Sequence, residues 1–466
     1  MEKATHIAVI PGLGFTHLVP ILHFSKRLVE LHPHVHVTCI VPSLGSLPSA
    51  SKAILETLPP NINPILLPPV NLSDLPQGIR PTIQIHLAMT HSMQSIHDTL
   101  KCITSKIPLV AMVIDSFAYE AQDFAQEFNM LSYVYFPCAV TTLATYFYMP
   151  KLDEETSCEY PDLTHPIQIP GCLPFHGRDL CTLARDRSSL GYEFFLQRVK
   201  RMPRVDGVLV NSFLEMEIGP IRALEDEGTG YPPVYPVGPI VQTGTACTIG
   251  LESLTWLDNQ QVGSVLYVCF GSGGTLSQEQ IIELAYGLEL SNHKFLWVVR
   301  APSDEANSAY LGEQNHVDPL EFLPSGFLER TKEQGMVLPS WAPQTQILSH
   351  SSVGGFLTHC GWNSTLESVL NGVPLITWPL FAEQMMNAVV LSEGLKVGVR
   401  PRVNENGLVD RVETVEVIKR LMEGKEGGEM RRRMKDLKEA ATSALKPDGS
   451  STKTLSQVAF KWKNLA

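Results

Sequence analysis

The chain has 466 residues, a net charge of −12 and a hydrophobic content of 44%. It is too long for one ordinary hydrophobic core, so we expect two or three domains. Charged residues make up 18% of the chain, and no lysine- or arginine-rich run of the nucleic-acid-binding type stands out, so nothing indicates a polyanion partner.

Strand signals begin within the first several residues and leave no room for a signal peptide. No apolar run reaches the roughly 18–20 residues that a membrane span needs. The nine cysteines lack paired CxxC spacing, which is typical of reduced thiols. His359 and Cys360 have no second ligand pair nearby, so no metal site is expected. These features predict a cytoplasmic protein without a transmembrane segment, and we expect a monomer.

Short, β-branched apolar runs predict five strands in the first half of the chain. Amphipathic segments such as IHDTLKCITSK (96–106) separate them and predict helices. Continuous apolar strands alternating with helices indicate a parallel sheet that is covered on both faces. The predicted strands are HIAVIP (6–11), VHVTCIV (35–41), PLVAMVIDSF (108–117), LSYVYFP (131–137) and GVLVNS (207–212).

Residues 241–252 include a small-residue stretch without periodicity and are predicted to link two domains. After the linker the α/β pattern restarts, so we expect two Rossmann-like domains, 1–240 and 253–445, that face each other across a cleft. The Pro-rich segment 316–327 is predicted to be a surface loop, and 446–466 a final helix. The strands predicted for the second domain are SVLYVCFGS (264–272), KFLWVVR (294–300), MVLP (336–339), VGGFLTH (353–359) and PLITWP (374–379).

The segment from Trp341 to Gln384 carries the densest set of signals in the chain. Its strand VGGFLTH is followed by a turn at 360–362 and a helix that ends at Gly372. Ser364 and Glu367 fit a capping box at the start of this helix. A strand, a glycine turn and a helix N-terminus together form an anion site, and the natural ligand is a phosphate or pyrophosphate.

This segment resembles, nearly residue for residue, the signature box of the plant family-1 UDP-sugar-dependent glycosyltransferases. The resemblance extends from PGLGFTHLVP (11–20) to the helical C-terminus, and it favours the branch that glucosylates hydroquinone, monolignols and other phenols. It implies a GT-B fold and an inverting UDP-glucose-dependent O-glucosyltransferase that makes β-glucosides of phenolic or flavonoid-type acceptors. It also implies that 1–240 binds the acceptor, that 253–445 binds the UDP-sugar, and that 446–466 packs back on the N-terminal domain.

We expect His17 to lie in the loop after the first predicted strand and Asp115 to end a strongly apolar one, which are positions where α/β enzymes carry reactive groups. The residues alone leave two interpretations open: a paired His and Asp, or a structural His and a helix-capping Asp. The resemblance implies the first, with His17 as general base and Asp115 holding its imidazole.

The resemblance also assigns contacts with the donor. Trp341 would stack on uracil and Ala342 would meet the base through its backbone. Two alternatives stay open: Glu367 as a helix cap only, and Trp362 as a packing residue only. No D-x-D pair occurs, so no metal or other cofactor is expected. The remaining contacts would be Gln344 and Glu367 with the ribose, Ser272, His359, Asn363 and Ser364 with the pyrophosphate, and Trp362, Glu383 and Gln384 with the sugar.

Two positions depart from the common family pattern: Thr16 stands where Gly often precedes the catalytic His, and Glu383 where Asp often precedes the closing Gln. In the resembled family a closing Gln accompanies glucose, so the resemblance implies through Gln384 that glucose is the donor sugar. For the acceptor pocket, Phe117 and the aromatic residues Tyr146 and Tyr148, predicted to lie in a loop, suit a flat phenol, although core packing would explain them equally well.

Three other functions are alternatives to glucosyl transfer to a phenol. A nicotinamide dehydrogenase would need a third glycine where GLGFTH (12–17) and GSGGTL (271–276) have His and Leu. A non-catalytic sugar-nucleotide-binding protein would not need both His17 and Asp115. Transfer to a triterpenoid, or to nitrogen or sulfur of a small lipophilic acceptor, stays open.

Overall fold

The computed structural model describes residues 4–76, 79, 81–242, 250–307 and 317–466. Most of the predicted linker 241–252, and the first residue of the predicted loop 316–327, lie outside these residues. The chain forms two compact units. Unit 1 comprises Met1–Arg178, Leu183–Val241 and Thr442–Ala466, and unit 2 comprises Asp179–Thr182 and Gln242–Ala441.

Unit 1 contains a seven-stranded parallel sheet in the order β3-β2-β1-β4-β5-β6-β7. The strand order reverses between β1 and β4, so the loops after these two strands leave the same edge of the sheet in opposite directions. The strands are β1 Thr5–Ile10, β2 Val35–Val41, β3 Ile62–Leu66, β4 Ala111–Asp115, β5 Leu131–Phe136, β6 Gly207–Val210 and β7 Val234–Pro236.

In the described part of the chain, unit 1 also contains eight α-helices, and buried residues of α1 and α16 lie in one core cluster with the strands. The C-terminal helix belongs to this unit, because its Leu455, Val458 and Trp462 lie in the same core cluster as β1, β2 and β5. The helices are α1 Phe15–Leu31, α2 Ser49–Glu56, α3 Pro81–Thr104, α4 Gln122–Glu127, α5 Val140–Glu155, α6 Leu190–Arg201, α7 Ile218–Leu224 and α16 Ser450–Lys463.

Unit 2 contains a six-stranded parallel sheet in the order β10-β9-β8-β11-β12-β13. Its order reverses between β8 and β11, which again sets a ligand-binding position at the carboxyl ends of those strands. The strands are β8 Val265–Cys269, β9 Lys294–Val299, β10 Gly335–Pro339, β11 Val353–Thr358, β12 Leu375–Thr377 and β13 Gly398–Val399.

Helix α14 of unit 2 contacts β11, β12 and β13, and the last helix of the unit, α15, continues into unit 1. They are α8 Leu251–Asp258, α9 Gln278–Ser291, α10 Phe327–Thr331, α11 Gln344–Ser349, α12 Trp362–Asn371, α13 Gln384–Val389, α14 Arg411–Met422 and α15 Gly424–Ala444. In the described part of the chain, no helix combines the length and the apolar character that crossing a bilayer requires.

Two Rossmann-like domains with parallel sheets were predicted, and this fold class is confirmed. Each of the ten predicted strands corresponds to an observed one. Three further strands, β3, β7 and β13, lie at the outer positions of the sheets. Prolines in β3 and β7 and the two-residue length of β13 explain why the apolar pattern did not predict them.

Candidate active site

The reversal point of the first sheet brings His17 and Asp115 together. Asp115 is the last residue of β4, and His17 lies in the first turn of α1, which follows β1. His17 was predicted to lie in a loop, so its element was predicted wrongly. The imidazole Nδ1 lies 3.0 Å from Asp115 Oδ2. The pairing depends on Gly12, because a Cβ there would meet Asp115 Oδ1 at 2.6 Å and His17 Cβ at 3.3 Å.

The Asp115 carboxylate has both of the roles that the sequence left open, pairing with His17 and capping a helical turn. Its Oδ1 accepts a hydrogen bond from the backbone N–H of Phe117 at 2.8 Å and caps the turn that follows β4. Its Oδ2 faces His17, and because a carboxylate accepts, Nδ1 carries the proton and Nε2 the lone pair of the neutral ring. Asp115 is 0% exposed and the His17 side chain 14%, so only the imidazole of this pair meets solvent or a ligand.

Phe117 is half-buried and lies edge-on to His17, with ring centroids 4.8 Å apart. The other two predicted acceptor residues lie in α5 rather than in a loop, because Pro150 is accommodated inside that helix. Tyr146 is buried against Phe195, 5.0 Å between centroids. Tyr148 is half-buried, and its ring lies beneath the ammonium of Lys151.

A small pocket beside Phe117 was not predicted. Its lining includes His86, Phe194, Phe195 and Arg198. Three of these residues lie on α6, where the spacing of Phe194, Phe195 and Arg198 places them on one helix face. That spacing was readable in the sequence, but nothing local indicated which element this face would meet.

In unit 2, β11 leads through His359, Cys360 and Gly361 into α12. The predicted capping box is wrong. Gly361 is the N-cap, Ser364 lies inside the first turn, and no side chain of the N-cap bonds the helix. A glycine N-cap leaves the approach to the first-turn amides open, as expected where an anion binds at a helix N-terminus. The predicted stop at Gly372, with φ of 75°, is confirmed.

Glu367 has a different partner from the one that a capping box would supply. It accepts a hydrogen bond from Gln344 Nε2 at 2.6 Å, and the same amide donates to Ser364 Oγ at 3.0 Å. Glu367 is 9% exposed, and burial raises the pKa of its carboxyl to about 7, against the opposing effect of the Gln344 hydrogen bond. The structure therefore brings together the two residues predicted to bind the ribose.

Trp341 and Ala342 precede this group at the end of β10. Trp341 is 46% exposed, whereas Ala342 is buried. The backbone reaches this point through Ser340, which has a φ of 65°. An exposed ring beside a buried backbone segment provides a flat surface for stacking.

Two glycines pack against the ring of His359, one of the residues predicted to contact the pyrophosphate. A Cβ at Gly271 or at Gly361 would come within 2.5 Å of that ring, so both glycines are required for its position. Gly271 also places the exposed Ser272 in the adjoining turn after β8. Asn363 is half-buried in the first turn of α12. Burial and the positive charge of Arg300 lower the pKa of His359 to about 4; Arg300 was not singled out in the sequence.

The three residues predicted to contact the sugar differ in burial and in hydrogen bonding. Trp362 is 2% exposed, and thus mostly packed. Gln384 is 4% exposed, and its Oε1 accepts hydrogen bonds from the backbone N–H groups of Leu380 and Phe381, each at 2.9 Å. Because both lone pairs of this oxygen are used, Gln384 presents only N–H donors. Glu383 is the N-cap of α13 and makes no side-chain capping bond.

Comparisons with known proteins identify the family of this chain. A profile described as UDP-glucoronosyl and UDP-glucosyl transferase matches residues 244–419. The chain is 51% identical to a hydroquinone glucosyltransferase from Rauvolfia serpentina, over 100% of this chain and 99% of that protein.

Two solved structures are similar over nearly the whole chain. One is a UDP-glucosyltransferase from Polygonum tinctorium that glucosylates indoxyl, with 3,4-dichloroaniline (46% identity, TM-score 0.92, 99% of each chain). The other is UGT2 from Phytolacca americana with UDP-2-fluoro-glucose and pterostilbene (43% identity, TM-score 0.90, 99% of this chain and 100% of that chain). This chain therefore belongs to the UDP-dependent glycosyltransferases of the GT-B fold and is a UDP-glycosyltransferase.

Proposed function

We propose that this protein transfers glucose from UDP-glucose to the hydroxyl of a small phenolic acceptor, with inversion, to give a β-glucoside. The observation that carries the catalytic assignment is the His17–Asp115 pair at the reversal point of the first sheet, 3.0 Å between Nδ1 and Oδ2. The names of the relatives support the acceptor class, since they include a hydroquinone glucosyltransferase and a glucosyltransferase of indoxyl.

The reaction begins with the acceptor hydroxyl beside His17. Nε2 takes the hydroxyl proton, and the oxygen forms a bond to the anomeric carbon of the sugar. The bond between that carbon and the phosphate oxygen breaks, and UDP leaves with the electron pair. One displacement inverts an α-linked donor to a β-glycoside. Asp115 stabilises the imidazolium and holds the ring in the tautomer that can accept the proton.

The donor site is proposed in unit 2. Uracil stacks on Trp341, the backbone of Ala342 meets its edge, and the ribose hydroxyls donate to Glu367, which Gln344 positions. The pyrophosphate lies against the N-terminus of α12. Ser272, His359, Asn363 and Ser364 surround it, and no metal is required because the helix amides and Arg300 stabilise the leaving charge. Gln384 donates to a sugar hydroxyl, with Glu383 and Trp362 beside it.

The proposal extends to domain roles and cellular context. Residues 1–240 bind the acceptor, with Phe117 beside the reacting hydroxyl, and residues 253–445 bind UDP-glucose, joined by the linker 241–252. Residues 446–466 stabilise the acceptor domain through α16. The enzyme acts as a cytoplasmic monomer, which size-exclusion chromatography and cell fractionation test directly.

The test is UDP release from UDP-glucose with a panel of phenols, a triterpenoid alcohol, an aniline and a thiol. We expect turnover with phenols and a β-anomeric product by NMR. His17→Ala should lower turnover by roughly 10²- to 10⁴-fold while UDP still binds. UDP binding without release for any acceptor would instead identify a non-catalytic sugar-nucleotide-binding protein.

A further inference from the structure

A guanidinium lies buried in the pocket beside the catalytic pair. Arg198 is 5% exposed and lines this pocket together with His86, Phe117, Phe194 and Phe195. It reaches the pocket from α6, on the same helix face as the two phenylalanines. A cation among these aromatic side chains is unexpected, because burying a charge without a partner is costly.

Among the residues that the structure describes, the Arg198 guanidinium has no carboxylate within ion-pair distance and no hydrogen-bond acceptor. Its Nε is buried without a partner. By contrast, Arg201 on the same helix pairs with Asp123, and the half-buried Arg187 pairs with Asp153. The charge of Arg198 is therefore exceptional among these neighbouring arginines.

Aromatic rings supply the contacts that Arg198 does make. Its guanidinium carbon lies 4.2 Å from the centroid of Phe117, 5.7 Å from that of Phe195 and 5.9 Å from that of Tyr146. Such cation–π contacts recover only part of the cost of removing a guanidinium from water. They hold the group in place and leave its in-plane N–H donors for another acceptor.

His86 does not add a second charge. Its ring stacks on Phe194 with centroids 3.9 Å apart. Burial, together with the charge of Arg198, lowers the pKa of His86 to about 4, so the imidazole is neutral near pH 7. The pocket thus presents one positive charge within aromatic walls, which is complementary to a carboxylate group.

We propose that Arg198 selects acceptors that carry a carboxylate in addition to the phenolic hydroxyl, that is, hydroxylated aromatic acids. This inference rests on the proposed glucosyl transfer and names its substrate class. Phe117 contacts both groups, with the His17 ring edge-on at 4.8 Å and the Arg198 guanidinium over its face at 4.2 Å. A hydroxyl and a carboxylate at opposite ends of a flat acceptor can therefore reach the two groups at once.

The carboxylate and the phenolic hydroxyl of the acceptor have different roles. A carboxylate matches the planar fork of a guanidinium and can accept two parallel hydrogen bonds from it. Held there, the carboxylate takes no part in the transfer, and the phenolic oxygen at the other end is the one that His17 deprotonates. The product is a phenolic glucoside with a free acid, not a glucose ester.

The experiment compares 4-hydroxycinnamate with its methyl ester as acceptors, using the full-length enzyme and UDP-glucose. We expect the acid to have the higher kcat/KM, and Arg198→Met to lower the acid-to-ester ratio by about 10- to 100-fold. Arg198→Lys should retain part of the preference, because it keeps the charge and loses the fork. The matched control is Arg201→Met, which removes a paired cation from the same helix and should leave the ratio unchanged.

An acid-to-ester ratio that is the same in the wild type and Arg198→Met, or an alkali-labile glucose ester as product, would overturn the inference. If Arg198→Met does not fold, inhibition of the wild type decides: benzoate should compete with the acceptor and benzamide should not, and equal inhibition by both overturns it. Turnover of the ester without any preference for the acid refutes this inference alone. No turnover with any phenol refutes the proposed function itself.

Discussion

Replacing Asp115 by Asn tests whether the carboxylate acts through the imidazole. The amide keeps the shape, and its oxygen can still accept from the Phe117 N–H that Oδ1 now caps at 2.8 Å. Its NH2 group would face His17 Nδ1, which must then accept rather than donate. The ring is thereby driven to the tautomer with the proton on Nε2, and it can no longer take the acceptor proton.

The expected loss follows from the geometry. Unit charges about 4 Å apart attract each other by about 4 kcal/mol at an effective dielectric constant of about 20. Solvent reaches the imidazole, whose side chain is 14% exposed, and reduces this figure. Each ~1.4 kcal/mol changes the rate tenfold, so we expect kcat to fall by about 10²- to 10³-fold in Asp115→Asn.

The assay is steady-state UDP release with a phenol, together with UDP titration by calorimetry. We expect kcat to fall while the Kd of UDP is unchanged, and an acidic phenol, already partly ionised, should lose less turnover than an unactivated one. Asp206→Asn is the matched control. Asp206 accepts from Ser132 at the start of β5 and lies at the opposite end of the same sheet, so kcat should stay the same.

Two results would refute this reasoning. Near-normal kcat in Asp115→Asn would show that the tautomer is held by something other than this carboxylate. A parallel loss of UDP affinity would assign Asp115 to folding or to donor binding instead.

Three other predictions concern the donor site. Trp341→Ala should weaken UDP binding by roughly 1–3 kcal/mol without lowering the unfolding temperature, since the ring is 46% exposed; unchanged affinity by calorimetry would leave the ring without a role in stacking. Burial raises the Glu367 pKa to about 7 from 4.5, so the folded protein retains a proton that the unfolded chain releases, and stability should fall as pH rises through that window. Glu367→Gln should flatten this fall in thermal melts from about pH 4.5 to 7, and an unaltered slope would contradict the assignment. UDP-glucose should exceed UDP-galactose and UDP-glucuronate in kcat/KM. Gln384→Glu keeps an oxygen for the N–H groups of Leu380 and Phe381 but removes the N–H donor, so it should lower kcat/KM for UDP-glucose about tenfold. A wild-type preference for UDP-glucuronate would refute the predicted choice of donor.

Local patterns in the sequence were sufficient for the sheets and for much of the donor segment. Buried parallel strands are continuous apolar runs, and their signal lies within a few residues, so β1, β2, β4 and β5 could be located directly. Gly372 ends α12 because its positive φ suits glycine, a preference that is also local. The outer strands β3, β7 and β13 were not predicted, because segments that are short or contain proline do not form a continuous apolar run.

Capping and partner choice were decided in three dimensions. Ser364 and Glu367 have the spacing of a capping box, yet α12 begins earlier, at Trp362. Both side chains instead accept hydrogen bonds from the side-chain amide of Gln344. Gln384 has an amide that can donate and accept, but its oxygen is used by two backbone N–H groups of its own turn. In both cases residue type and spacing fit several arrangements, and only the backbone path selects one.

The chemistry at the acceptor end depends most on tertiary structure. His17 and Asp115 are 98 positions apart and meet because β1 and β4 are neighbours in the sheet, while Arg198 reaches Phe117 only through the packing of α6. By itself the sequence determined that the chain alternates strands and helices, where the anion-binding segment lies, and which family it resembles, because those signals are local or carried by contiguous motifs. Strand order and helix packing determined which distant side chains share a site, because contacts of high sequence separation leave no periodic trace along the chain.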